Sequence, residues 1–179
     1  MSIFTKSKQR FRLHKLKQLG IEPVSCKTSS LYGGDHGWVV DESLLNRESV
    51  IYSVGVGSNI DFDIELINSF GATVHAFDPT PRSIEWVKNQ QLPKHFIFHP
   101  FGLSAENGHM DFFPPAKASS THFSPIDRYG DTNNVVRAPV KDIDTIASEL
   151  NHKKIDLLKM DIEGGEYEVI KALPQNRVA

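Results

Sequence analysis

Residues 50–61 constrain the fold more than any other stretch of the chain. Residues 50–54 (VIYSV) are mostly β-branched, aromatic or otherwise apolar, which predicts a strand buried on both faces of a sheet. Two glycines at alternate positions follow, and the next residues, Ser58 and Asn59, can cap a helix. Apolar residues at helical spacing then continue to Phe70. The stretch therefore predicts a strand, a glycine turn and a helix that packs on a sheet.

A second strand follows this helix. Gly71 ends the helix, and residues 73–77 (TVHAF) predict a strand that ends in Asp78, 21 residues after Gly57. A strand, a glycine turn, a helix and a second strand form a βαβ unit, which is the usual cradle for a nucleotide-like cofactor.

The rest of the chain continues the alternation of strands and helices. Further strands are predicted at residues 96–98 and 155–161, and further helices after Pro79, at 142–150 and at 163–173. Residues 108–140 are predicted to form antiparallel edge strands and loops. The alternation predicts an α/β fold with a parallel sheet, helices on both faces and right-handed crossovers.

The chain divides into an N-terminal segment, residues 1–36, and one domain over residues 37–179. Residues 1–20 contain six lysines and arginines and no acidic residue, with a narrow stripe of leucines. This pattern predicts a basic surface helix that leads into irregular chain; a basic arm that touches a membrane surface or RNA is the alternative.

Charge and composition narrow the class of protein. The net charge of −2 gives no overall attraction to nucleic acid or to an anionic membrane. The sequence contains no run of 18 apolar residues, so no membrane span is predicted. The single cysteine, Cys26, excludes an internal disulfide, and residues 1–20 lack the apolar core of a secretory signal, so we expect a cytoplasmic protein.

The glycine turn departs from the dinucleotide fingerprint Gly-x-Gly-x-x-Gly, because Ile60 stands where the third glycine belongs. A bulky residue there keeps the helix from a close approach to a pyrophosphate, which disfavours a nicotinamide-dependent oxidoreductase. S-adenosyl-L-methionine has no phosphates, and needs a glycine turn beside its methionine part and an acidic residue for its ribose hydroxyls. Gly55, Gly57 and Asp78 meet these needs, although Asp78 is also explained as a plain helix cap.

Four motifs in the same order resemble those of FkbM-type S-adenosylmethionine-dependent methyltransferases. They are residues 53–63 (SVGVGSNIDFD), 74–81 (VHAFDPTP), 100–104 (PFGLS) and 158–166 (LKMDIEGGE). The resemblance implies a class I, Rossmann-like methyltransferase fold, with the cofactor S-adenosyl-L-methionine above the carboxyl ends of the strands. It also implies methyl transfer to a hydroxyl oxygen of a sugar or small metabolite.

Position and resemblance together predict the cofactor contacts. They are Gly55, Gly57, Ser58, Asn59, Ile60, Asp78, Pro79, Gly102, Leu103 and Asp161. Many class I methyltransferases carry an acidic residue at the end of the first strand, where this chain has Ser53, or Gly55 if the motif is aligned by helix length. Asp61 or Asp161 is therefore expected to contact the amino group of the methionine part instead.

The implied fold has strands in the order 3-2-1-4-5-7-6, of which this sequence supplies 3-2-1-4 and not strands 5–7. A strand left at the edge of the sheet would favour association, including a homodimer through that edge. The alternative to an enzyme is a truncated, non-catalytic remnant that binds the cofactor and acts through a partner.

Asp161 and Glu163 are the catalytic candidates, because they follow the last strand where cofactor and acceptor should meet. Two carboxylates there can bind the positive end of the cofactor, act as a base or hold a divalent ion. The alternative is helix capping. Spacing offers no third ligand, so no metal site is predicted, and His36 and His122 are further base candidates in loops.

Overall fold

The computed structural model describes residues 14–20, 28–34, 37–116, 123–130, 134–174 and 178. Residues 14–18 are helical, as the basic N-terminal segment predicts, whereas Cys26, His36 and His122 lie outside the described residues. The strands are β1 (Ser29–Tyr32), β2 (Trp38–Asp41), β3 (Val50–Val54), β4 (Thr73–Phe77), β5 (Phe96–His99), β6 (Gly102–Leu103), β7 (Gly108–Phe112), β8 (Val136–Lys141) and β9 (Leu157–Met160). The α-helices are α1 (Asp61–Phe70), α2 (Pro81–Lys88), α3 (Ile143–Glu149) and α4 (Glu166–Ala172).

The central sheet is parallel and has the order β5-β4-β3-β9. This order confirms the predicted 3-2-1-4 arrangement and the α/β fold class. Val54 pairs with Phe77 on one side and with Met160 on the other, so the carboxyl ends of β3, β4 and β9 lie at the same edge. The loops that follow these three strands therefore meet at one end of the sheet.

Each face of the sheet packs against a different pair of helices. On one face, Ile51 and Val74 form a buried cluster with Leu66 of α1 and Val87 of α2. On the other face, strand residues including Tyr52 pack with side chains of α3 and α4. The predicted layer of helices on both faces is thus observed. Burial of this kind stabilises the fold by about 25 cal/mol for each Å² of apolar surface.

A smaller sheet of order β6-β8-β7 lies between β5 and β9 in the sequence. β7 pairs antiparallel with β8, as predicted for residues 108–140, and β6 pairs parallel with β8. The motif at residues 100–104 thus contains the short strand β6. Pairing with β8 fixes Gly102 and Leu103 beside the end of the central sheet.

The N-terminal segment departs from the irregular chain predicted there. β1 and β2 form an antiparallel hairpin that packs on α1. The Tyr32 and Phe70 rings lie 5.8 Å apart, and the Gly33 N–H donates to the Glu65 Oε2 at 2.7 Å. The hairpin crosses the domain boundary predicted at residue 36, which stays a prediction. Of the helices in the part of the chain that the structure describes, none has both the length and the apolar character to cross a lipid bilayer.

Candidate cofactor cleft

The glycine turn after β3 is held close to the loop after β9. Gly55 and Gly57 have φ values of +84° and +58°, a region that favours glycine. A Cβ atom on Gly55 would lie 1.9 Å from the carbonyl oxygen of Asp161. Only glycine therefore lets the ends of β3 and β9 approach this closely.

Asp78, at the end of β4, fixes the conformation of this glycine turn. Its Oδ2 accepts hydrogen bonds from the N–H groups of Val56 at 3.1 Å and Gly57 at 3.0 Å. Its Oδ1 accepts from the N–H of Thr80 at 2.9 Å and from the Thr80 hydroxyl at 2.6 Å. The side chain is buried, with 5% exposure. Four donors match the roughly four lone-pair sites of a carboxylate, so a ribose hydroxyl would share an oxygen with them.

A cavity of about 640 Å³ opens at the carboxyl ends of β3, β4 and β9. All the predicted site residues except Ile60 line it: Gly55, Gly57, Ser58, Asn59, Asp78, Pro79, Gly102, Leu103, Asp161 and Glu163. Ile60 is instead buried in the hydrophobic core under α1, so the structure places it away from the cleft. Ser58 and Asn59 do not form the helix cap itself, which is Ile60, although the Asn59 Oδ1 accepts from the Asp61 N–H at 2.7 Å.

The side of the cleft beside β6 is apolar and tightly packed. A Cβ atom on Gly102 would lie 3.2 Å from side-chain carbons of both Pro79 and Val140. Leu103 is buried, and Phe77, Met110 and Phe112 also line this side. The arrangement forms an apolar wall suited to a flat aromatic ring.

Glu163 is held in place by the segment of residues 123–130. It has a φ of +55°, which is uncommon for a residue other than glycine. Its carbonyl oxygen accepts from the Ser124 Oγ at 2.9 Å and from the Arg128 Nη2 at 2.7 Å. The Arg128 Nη1 also donates to the Glu163 Oε2 at 3.1 Å. This segment therefore fixes both the backbone and the carboxylate of Glu163.

The turn between β9 and α4 is closed by Glu166 rather than by the predicted catalytic pair. Its two carboxylate oxygens accept from the N–H of Ile162 at 2.7 Å and of Gly164 at 2.8 Å. The helix α4 has Gly165 as its N-cap, without a side-chain capping bond. Asp161 is exposed in the cleft. Helix capping therefore does not account for Asp161 or Glu163.

Lys159, Asp63 and Trp38 also line the cleft and were missed from the sequence. The Lys159 Nζ donates to the Gly55 carbonyl at 2.8 Å and lies 5.7 Å from the centre of the Trp38 ring. Asp63 is buried in the first turn of α1. The available signals were a charged residue inside the apolar strand LLKM and an aspartate on the buried side of an amphipathic helix.

The charges of the cleft are mainly negative. Among the described residues that line it, four are acidic (Asp63, Asp78, Asp161 and Glu163) and one, Lys159, is basic. Burial lowers the pKa of the Lys159 ammonium, while the carboxylates of Asp63, Asp161 and Asp78 act in the opposite direction. Burial raises the pKa of the Asp63 carboxyl, against the lowering effects of Ser53 and Lys159. Such a cleft favours a ligand with net positive charge.

A group of histidines packs on the sheet outside this cleft. The His75 Nδ1 lies 3.0 Å from the His99 Nε2, and the Tyr52 hydroxyl lies 2.9 Å from the His152 Nδ1. Burial, followed by the neighbouring His152 and His99, lowers the pKa of His75 to about 4. In the described ranges, no group of three or more His, Cys, Asp or Glu side chains is arranged to hold a metal ion.

The parallel sheet, the flanking helices and a cleft built on a glycine turn define a Rossmann-like methyltransferase fold. Residues 53–178 match the family described as the methyltransferase FkbM domain. The chain belongs to this family, as the sequence motifs indicate.

Two curated proteins are similar to the chain over 131 residues, which is 73% of its length. The human protein "Probable methyltransferase-like protein 24" is 27% identical, and the match covers 29% of that protein. The rat protein of the same name is 30% identical, and the match covers 30% of it. The chain thus spans less than a third of the length of these relatives. No solved structure is significantly similar to it.

Proposed function

We propose that this domain binds S-adenosyl-L-methionine in the cleft and transfers its methyl group to a hydroxyl oxygen of a sugar or small metabolite. The observation that carries the proposal is the combination of a fixed glycine turn, an apolar wall and a mainly acidic lining in one cavity. When bound, the cofactor supplies an activated methyl group on a sulfonium. Four carboxyl groups suit this cation, and the methyltransferase family supports the same cofactor.

The lining residues suggest how the cofactor would be held. The wall formed by Pro79, Gly102 and Leu103 would pack against the adenine. Asp78 would lie beside the ribose, where its shared oxygens can accept from a hydroxyl. The glycine turn leaves room for the chain of the methionine part to pass toward Lys159.

The chemistry requires positioning and removal of one proton from the acceptor. The Asp161 carboxylate is the base we propose, because it is exposed and lines the cleft at the end of β9. Glu163 would orient the acceptor, because Arg128 already holds its carboxylate at 3.1 Å. The segment of residues 123–130 would cover this part of the cleft and exclude water.

Calorimetric titration with S-adenosyl-L-methionine and S-adenosylhomocysteine tests cofactor binding, and we expect both to bind. Incubation with S-adenosyl-L-methionine labelled in its methyl group, and with a panel of sugars and small hydroxyl metabolites, then tests transfer. Asp161→Asn should retain cofactor binding and lose transfer. A well-folded protein that binds neither cofactor form contradicts the proposal, and tight binding of a nicotinamide dinucleotide instead would favour an oxidoreductase. Binding without transfer to any acceptor supports the non-catalytic alternative.

We further propose a cytoplasmic protein without a nucleic-acid partner, on the basis of its single cysteine and its net charge of −2. β9 lies at the edge of the central sheet, with an isolated bridge between Ile155 and Val178 beside it. Such an edge supports a homodimer through strand pairing. Sedimentation velocity over a range of concentrations should show a dimer, and a monomer at all concentrations would contradict it.

A further inference from the structure

We infer that Lys159 and Asp63 bind the amino-acid end of the cofactor, with the Lys159 ammonium paired to its carboxylate and the Asp63 carboxylate paired to its ammonium. The inference rests on the proposed function, which directs the methionine part of the cofactor toward Lys159 without pairing its charged groups with any side chain. It also replaces the sequence-based expectation that Asp61 or Asp161 contacts the amino group of the methionine part. Asp61 is exposed and does not line the cleft, and Asp161 is the proposed base.

Lys159 places a positive charge beneath the glycine turn. It lies in β9 beside Ser53 of β3, in the middle of an otherwise apolar strand. Its Nζ makes one short hydrogen bond to the Gly55 carbonyl at 2.8 Å and a long one to the Val54 carbonyl at 3.4 Å. An ammonium group has three N–H donors, so these two carbonyls leave capacity for an anionic group in the cleft.

Asp63 places a carboxyl group in the same cleft. Its side chain has 3% exposure, yet it lines the cavity. Its Oδ1 is buried and makes no hydrogen bond among the described residues; the Ser53 hydroxyl also makes none, although it lies close enough to lower the pKa of the Asp63 carboxyl. A buried acceptor without a donor costs about 1–3 kcal/mol, so it is rare unless a ligand or water satisfies it. A ligand ammonium at this position would supply the missing donor.

Lys159 of β9 and Asp63 of α1 both line this cavity, and Lys159 lies beside Ser53 of β3 in the sheet. Lys159 and Asp63 influence each other's pKa, which is consistent with their proximity. An α-amino acid carries an ammonium and a carboxylate on one carbon atom, so one such group can pair with both side chains. The Trp38 ring, 5.7 Å from the Lys159 Nζ, would help to keep water from these ion pairs, which strengthens them.

The arrangement also gives the cofactor a direction. Leu103 and Gly102 lie at the apolar side of the cavity, Asp78 lies beside the glycine turn, and Lys159 lies beneath that turn. A ligand with an aromatic base at one end and a zwitterion at the other matches this sequence of surfaces. A nucleoside without an amino-acid end would leave Asp63 unsatisfied.

The first test compares ligands on the unmodified protein. We expect S-adenosyl-L-methionine to bind at least about 10-fold more tightly than decarboxylated S-adenosylmethionine, the effect of one lost charge-assisted hydrogen bond. S-adenosylhomocysteine should likewise bind more tightly than 5′-methylthioadenosine, which lacks the whole amino-acid end. Equal affinities within each pair would overturn the inference and leave the proposed function intact. If none of the four ligands binds, the proposed function itself fails.

The second test is a cycle of variants and ligands. Lys159→Met should weaken binding of S-adenosyl-L-methionine at least about 10-fold and leave the decarboxylated form nearly unaffected. Asp63→Asn should weaken the binding of S-adenosylhomocysteine but not the binding of 5′-methylthioadenosine. Lys171→Met, at an exposed lysine of α4, is the matched control and should change neither. An equal loss for both ligands of a pair would show that the residue only supports the glycine turn, and would contradict the inference. If a variant does not fold, the ligand comparison on the unmodified protein still decides.

Discussion

The carboxylate of Asp78 accepts a hydrogen bond from the backbone N–H of Gly57 at 3.0 Å, across the gap between the ends of β4 and β3. Gly57 is in a left-handed conformation with a φ of +58°. The conformation of the turn is therefore fixed by a residue of the neighbouring strand, before any ligand binds. Such preorganisation lowers the entropy that binding has to overcome.

Asp78→Ala should remove cofactor binding and lower the free energy of unfolding by about 2–4 kcal/mol, because it leaves buried N–H groups of the glycine turn without an acceptor. Urea denaturation and calorimetry measure the two effects. Asp111→Ala is the control, since the Asp111 side chain is 46% exposed and pairs with Arg137 at 3.4 Å, and it should cost no more than about 1 kcal/mol. Normal binding by Asp78→Ala would show that the turn does not depend on this carboxylate.

Gly55→Ala should destabilise the protein by at least about 3 kcal/mol or prevent folding, because its Cβ would lie 1.9 Å from the Asp161 carbonyl oxygen. The matched control is Gly130→Ala. Gly130 also has a positive φ, +69°, but a Cβ atom there would meet open space, with nothing beyond its chain neighbours within 4 Å among the described residues. Gly130→Ala should therefore lower the free energy of unfolding only by the backbone strain, about 1 kcal/mol. Similar thermal stabilities for the two variants would contradict the close contact between β3 and β9.

Local patterns in the sequence were enough to predict the central sheet. The order β5-β4-β3-β9 agrees with the order expected from the alternation of strands and helices. The glycine turn and Asp78 indicated where on the sheet the cleft lies. These predictions succeed because buried strands and amphipathic helices are each recognised from the spacing of apolar residues within one short segment.

Contacts between distant segments could not be predicted in this way. Lys159 and Asp63 line one cleft because β9 lies beside β3, and although each residue is unusual in its own element, neither pattern shows that the two belong to one site. Ser124 and Arg128 reach Glu163 from a loop segment without regular pattern. The burial of Ile60 could not be predicted for the same reason, since its place in the turn does not show that its side chain packs in the core.

Glu163→Gly should separate stability from activity. Glycine relieves the positive φ of +55°, and the lost pair with Arg128 is partly exposed, so the free energy of unfolding should change by no more than about 1 kcal/mol. Methyl transfer to an acceptor found in the panel should fall at least about 10-fold. Asn151→Gly, at a φ of +57° outside the cleft, is the control and should leave transfer unchanged. Full activity of Glu163→Gly would remove Glu163 from the catalytic site.

The stability of the protein should fall between pH 7 and pH 5. The pKa of His75 is lowered from 6.5 to about 4, so the unfolded chain binds a proton in this range that the folded protein excludes. The stability contributed by neutral His75 is complete above pH 6.5 and is lost as the pH falls toward 4, about 2 kcal/mol by pH 5.

The pKa values of His99 and His152 are lowered in the same direction, which adds to the loss, and Lys141 contributes to the shift of His99. His75→Gln should flatten the pH dependence of the urea midpoint. A variant whose midpoint falls in parallel with that of the unmodified protein would contradict this account of the histidine group.

The most direct test of the central claim is a crystal structure of the protein with S-adenosylhomocysteine. We predict the adenine against Leu103 and Gly102, the ribose beside Asp78, and the amino-acid end beneath the glycine turn at Lys159. Density for the ligand outside this cleft, or with the adenine at Lys159 and the amino-acid end at Leu103, would contradict it.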